Sequence, residues 1–431
     1  MRTKLPFAAP AALPCSRSHG SVWVMASEIV VDTRQSLIIA LQTAAETAQV
    51  EMARAPRDGR VGWAHISEQT IRPVADALRA VPAIAALEPY IYILPNESSV
   101  IDLNSIAIYL TFRAQSVDAE ALVHDLLRLV TEGQISVTEV RLVSNIEPAE
   151  KIDLGDGFSV VPKNGVPVTE HSSWIFSERN QPAHGWGRPP SAALICSRTI
   201  PLTLLPRPKA GEMDFPMHDQ LAPHTDWDAA MNALIVGSDG APQFRQHFLV
   251  VNDIGWLGMP NTSIGSSESF PVPGKPASHI DTERLPHLFN AFRKQNSTIT
   301  LAIKQLESSR RRLSEVEQAI DLGICVEVLL MSGAKDNGEI SYKIATRAAW
   351  LLGDTPEKRE EAYEAARTLY SMRSSAAHTG ALKTTRNMEE IEAQIAQLKK
   401  CDELCVSLIA KLAEQGLPKD WKSVVLGFPT N

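Results

Sequence analysis

The hydrophobic period of this chain changes once along its length. Up to about residue 258, apolar residues alternate in short runs broken by isolated helical stretches; from Leu285 onward they recur every three to four residues with almost no strand signal. Between the two lies Met259-Pro260-Asn261-Thr262-Ser263-Ile264-Gly265-Ser266-Ser267-Glu268, followed by Pro271, Pro273, Gly274 and Pro276, a linker-like composition. The expected fold class is an α+β N-terminal domain (26–258), a Pro/Ser/Gly-rich linker (259–284) and an all-α helical bundle (285–431). A chain of 431 residues, 44% hydrophobic and 21% charged, has enough apolar material for more than one core.

In the first part, Asp32–Arg54 predicts a helix. Ile106, Ile108, Leu110 and Phe112 alternate with smaller or polar residues and predict a strand, Val117–Glu132 a helix stopped by Gly133, and Ile135–Val143 a second strand. Asp156-Gly157 between Lys151–Leu154 and Phe158–Val161 is a hairpin signal, with further strands at Ala192–Cys196 and His247–Val251. The prolines between Gln181 and His224 predict loops. Residues 1–25 read as a disordered or misannotated extension with Met25 as an alternative start, because the apolar run after Arg2 and Lys4 is cut by Pro6 and Pro10.

The second part holds the patterns Leu285–Glu307, Leu313–Ser332, Glu339–Leu352, Pro356–Ala377 and Met388–Gln415. Thr355-Pro356 supplies a cap followed by a first-turn proline, and Gly380 and Gly416 fall where helices should stop. No run of about 18 apolar residues occurs, so no membrane-spanning helix is expected. Five cysteines, with Cys401 and Cys405 one turn apart, fit a reduced core stripe and a cytoplasmic protein.

The net charge of −8 is unevenly spread: from Asp281 to the end 21 Lys and Arg meet 21 Asp and Glu, leaving 21 against 29 in the remainder. The C-terminal part alone is electrostatically permissive for a phosphate backbone. Arg310-Arg311-Arg312 is a basic run that either tracks phosphates or forms a solvated helix end. Trp186 with Arg188 suits base stacking or a loop anchor, and Asp214, His218, His224 and Asp226 cluster without any metal-ligand spacing. There is no phosphate-binding glycine loop, no GxSxG elbow and no HExxH; neither a metal nor a cofactor is expected.

The informative motif lies in the bundle. Glu339-Ile340-Ser341-Tyr342-Lys343-Ile344-Ala345-Thr346-Arg347-Ala348-Ala349 leads through a charged helix to Leu369-Tyr370-Ser371-Met372-Arg373-Ser374-Ser375-Ala376-Ala377-His378-Thr379-Gly380, and upstream Glu327 sits in an apolar helix. Over roughly Leu285–Gly416 this resembles the Apea-like branch of the HEPN superfamily, whose pattern pairs E-I-S-x-K/R-x-A-x-R-x-A with L-Y-x-x-R-S-x-x-x-H-x-G. The resemblance implies an HEPN-like helical bundle, a homodimer with two Arg-x4-His motifs facing one cleft, and a role in defence against phages or plasmids. Ser374 stands where the family often has Asn or Asp.

The residues also support a chemistry on their own terms. Internal transesterification of RNA needs a group to move the 2′-hydroxyl proton and positive charge on the crowded phosphorane; histidine titrates near neutrality and arginine forks onto phosphate oxygens. His378 is then the general base or acid, Arg373 the phosphate clamp, Ser374 or Ser375 a polar donor, and Glu327 and Arg347 supports. Five residues apart on a continuous helix, Arg373 and His378 would sit about 140° from each other, so their convergence within one chain requires the helix to end near Ala377. Two functions follow: a metal-independent endoribonuclease acting on RNA, or a non-catalytic dimerisation, nucleotide-binding or sensor bundle.

Overall fold

The computed structural model describes residues 31–54, 65–94, 97–169, 172, 176, 190–207, 224–251, 266–267, 274–294, 296–332, 339–382 and 387–426. The segment 1–25, Trp186, Arg188, Asp214, His218 and most of the linker-like stretch lie outside these residues. The described residues fall into two compact units, one holding those up to Ile135 and from Thr199 to Arg207, the other those from Ser136 to Arg198 and from His224 onward.

The first unit contains helices α1 (Val31–Arg54), α2 (Glu68–Arg79), α3 (Pro82–Ala85), α4 (Leu103–Arg113) and α5 (Ala119–Glu132), with strands β1 (Tyr90–Leu94), β2 (Glu97–Val100) and β7 (Thr203–Pro206). The three strands form an antiparallel sheet of order β2-β1-β7. The expected strand around Ile106–Phe112 is instead α4. The Asp102 carboxylate accepts from the Asn104 and Ser105 N–H groups and starts the helix, and Leu103, Ile106, Ala107, Leu110 and Thr111 are buried at helical spacing. The first helix and α5 fall where expected, and Gly133 ends α5 in the left-handed region with φ 61°.

The second unit joins the remaining strands to the helices. Strands β3 (Gln134–Ser144), β4 (Ile152–Gly155), β5 (Phe158–Pro162), β6 (Ala192–Pro201), β8 (Gln243–Val251) and β9 (Ser266–Ser267) form a sheet of order β4-β5-β6-β3-β8-β9. Asp156 and Gly157, both at positive φ (50° and 81°), turn the expected hairpin; a Cβ on Gly157 would lie 2.3 Å from the Ser197 carbonyl oxygen. A further helix, α6 (His224–Val236), begins where the proline-rich stretch ends and brings Trp227 to 4.9 Å from the Phe158 ring.

The bundle contains α7 (Leu285–Phe292), α8 (Ser297–Arg311), α9 (Glu315–Met331), α10 (Ile340–Leu352), α11 (Pro356–Thr379), α12 (Met388–Gln415) and α13 (Trp421–Val425). One helix was expected over Leu285–Glu307; two form because the Asn296 side chain caps a new start by accepting from the Thr298 and Ile299 N–H groups. Helix α9 packs on α8 and α11, and α11 also packs on α10 and α12. A single apolar core runs from Phe158, Leu194 and Trp227 through Phe289 to Leu329, Leu369 and Leu408. Residues such as these each contribute roughly 1.5–3 kcal/mol by leaving water.

This core is why the division expected at 259–284 does not coincide with the two units. The six-stranded sheet belongs with the bundle, and the described end of the linker-like stretch is fixed within that unit: the Lys275 N–H donates to the Arg310 carbonyl, Ala277 to Asn145 and Asp281 to Gly237. Among the described residues, no helix is long and apolar enough to cross a membrane. Cys196, Cys325, Cys401 and Cys405 are free thiols buried in the protein.

Candidate functional site

Two helices build the site. On α9, Gly323 and Glu327 are one turn apart and share a face. On α11, Arg373 crosses directly over Gly323: a Cβ built there would meet the Arg373 Cγ at 2.3 Å and its Cβ at 2.6 Å. Only a residue without a side chain permits this approach. The arginine then reaches Glu327, its Nη2 lying 3.2 Å from Oε2. Both side chains keep about a quarter of their surface in solvent (28% and 26%), and a pair so exposed is worth roughly 1 kcal/mol or less. Glu327 therefore aims Arg373 without consuming its charge. The Arg373 Nε is buried and has no hydrogen-bond partner.

Helix α11 is long because it is capped at both ends. Thr355 Oγ1 accepts from the Lys358 N–H, Pro356 occupies the first turn, and Gly380 at φ 68° donates its N–H to the Ala376 carbonyl. The helix runs to Thr379, which corrects the expected end near Ala377. His378 is still helical and exposed, about 140° around the axis from Arg373, so one chain does not bring the two side chains together on a common face. Ser375 donates to the Ala381 carbonyl at 3.0 Å, and Thr379 to the Ser375 carbonyl at 2.8 Å. These two hydroxyls fix the turn that follows His378, so Ser375 is committed to the cap. Ser374 is half-buried beside Arg373 in the sequence.

Arg347 is not brought to Arg373. From α10 it donates through Nη1 to the Leu330 carbonyl, with Met331 Sδ 3.5 Å away, and stacks over the Trp421 ring at 5.1 Å. Burial lowers its pKa, against the Asp420 charge, which raises it. It closes the C-terminal end of α9 and holds α13 in place. The basic run is likewise spoken for: Arg310 pairs with Asp402, Arg311 with Glu307 and Arg312 with Asp321. Asp226 is paired with Arg293, and no group of three or more His, Cys, Asp and Glu residues is placed to hold a metal among the described residues.

Sequence reasoning selected Glu327 and Arg373, and the structure joins them. It missed Gly323, whose importance appears only when α9 and α11 are packed; an interior helix glycine, costing about 1 kcal/mol relative to Ala, was the available signal. It also missed an open depression of about 500 Å³ beside Glu327, lined by Ser297, Thr298, Leu301, Val328, Met331 and Ser332. No family model, no curated protein and no solved structure matches this chain.

Proposed function

We propose that the protein is a metal-independent endoribonuclease of the HEPN type, acting in the cytoplasm as a homodimer through the bundle, with defence against phages or plasmids as its setting. The observation that carries this reading is Arg373 laid over Gly323 and aimed by Glu327, with about a quarter of its side chain in solvent, on the same helix as a solvent-exposed His378. A guanidinium so placed offers donors to a phosphate.

Because one α11 holds His378 on a different face from Arg373, the complete site takes Arg373 from one copy and His378 from a second. Arg373 stabilises the charge that builds on the phosphorane, and His378 moves the 2′-hydroxyl proton. Arg373→Ala and His378→Ala are each expected to reduce RNA cleavage in EDTA by about 10²–10⁴-fold. Mixing the two inactive variants should restore part of the activity, since one kind of mixed dimer site regains both groups. Cleavage that survives both substitutions, or a mixture that stays inactive while mixed dimers form, would remove the proposal's basis.

A further inference from the structure

The depression beside Glu327 lies between the N-terminal end of α8 and the C-terminal end of α9. It is open to solvent rather than enclosed. One part of its lining is apolar: Leu301, 45% exposed, with Val328 and Met331 half-buried. Ser297, Thr298 and Ser332 add hydroxyl-bearing residues, and Glu327 adds the one charged group among the lining residues. Glu327 is thus shared: it aims Arg373 and also lines this depression.

We infer that the depression is a nucleobase subsite, and that it selects guanine next to the phosphate held by Arg373; the inference rests on the ribonuclease reading. An ionised carboxylate only accepts hydrogen bonds, and its two oxygens have about four acceptor sites. Arg373 takes one of them on Oε2, leaving Oε1 and a further lone pair for a ligand. Guanine places two donors side by side on its Watson–Crick edge, N1–H and the 2-amino group. Adenine and cytosine set a ring-nitrogen acceptor beside their amino group, and uracil flanks its single N–H with carbonyls, so each of these turns a lone pair toward the carboxylate. A base splayed out of a single strand exposes that edge. Leu301, Val328 and Met331 provide the apolar surface on which its ring rests.

The test uses the full-length protein and short single-stranded RNAs that differ at one position beside the cleavage site, carrying guanosine, inosine, adenosine, cytidine or uridine. The ratio of kcat/KM values between substrates is read within each variant, so that a general loss of activity cancels. Wild type is expected to prefer guanosine over adenosine and uridine by about tenfold or more, with inosine, which lacks the 2-amino group, in between. Glu327→Gln replaces one acceptor with a donor and should level this preference. If that variant is too slow to assay, affinities for the same RNAs with a 2′-deoxy nucleotide at the cleavage position give the same ratio. RNA cut by wild type with no base preference, or with a guanosine preference that Glu327→Gln leaves intact, overturns the subsite and leaves the nuclease standing. If no RNA is bound or cut, the nuclease reading falls and the subsite with it.

Discussion

Two arginines of the bundle differ in burial and in what holds them. Arg310 is 3% exposed; its Nε and Nη2 grip Asp402 at 2.8 and 2.7 Å, and its Nη1 donates to the carbonyls of Ile235, Ser238 and Gly240. Removing one member of a buried pair leaves the other charge and these carbonyls uncompensated, so Arg310→Met should cost about 3–5 kcal/mol in urea unfolding. Adding Asp402→Leu should recover part of that loss. A change below about 1 kcal/mol for the single substitution would contradict the assigned role. In the sequence Arg310 was one of three like charges at a helix end, because its partners Asp402 and Ile235 lie far away in the chain. Arg373 was legible because a motif named it; the reason it can lie flat against α9, Gly323, was not.

At the scale of elements, helices with strong end signals were readable and short apolar runs were not. Thr355-Pro356 and Gly380 mark both ends of α11, whereas Ile106–Phe112 satisfies an alternating pattern and a helical one equally until Asp102 is counted as a cap. The stretch from Gly274 to Asp281 shows the converse. Its composition reads as a linker, yet it is tied down by Asp239, whose carboxylate accepts from Ser278 Oγ and from the Ser278 and His279 N–H groups. Burial alone would raise the Asp239 pKa, but these hydrogen bonds and Lys275 outweigh it and hold the group at about 2, below its ordinary 3.8. A carboxylate with a depressed pKa in the folded state stabilises the fold above its unfolded value and loses that contribution as pH falls through the folded one. Asp239→Asn should therefore lower the melting temperature at pH 7, with the difference from wild type shrinking between about pH 4 and pH 2. A difference that stays constant across that window would mean that the carboxylate charge does not tie down the stretch.

Across the whole molecule, the sequence marked the helical C-terminal part but did not reveal that five of the strands, β3 to β6 and β8, share a core with the bundle. That grouping depends on Phe158, Trp227 and Phe289 meeting across residues far apart in the chain, the last pair of rings including Phe158 at 5.2 Å from Phe289. The proposed function concentrates in one small part of this unit, where α9 and α11 cross. If Arg373 and His378 drive attack by the RNA 2′-hydroxyl without a metal, as proposed, the chemistry of the cut ends records it. RNA incubated with the protein in EDTA should yield 2′,3′-cyclic phosphate ends, and a single 2′-deoxy nucleotide at the cleavage position should block the cut there. Ends bearing a 3′-hydroxyl, or cleavage that appears only when a divalent metal is added, would contradict it.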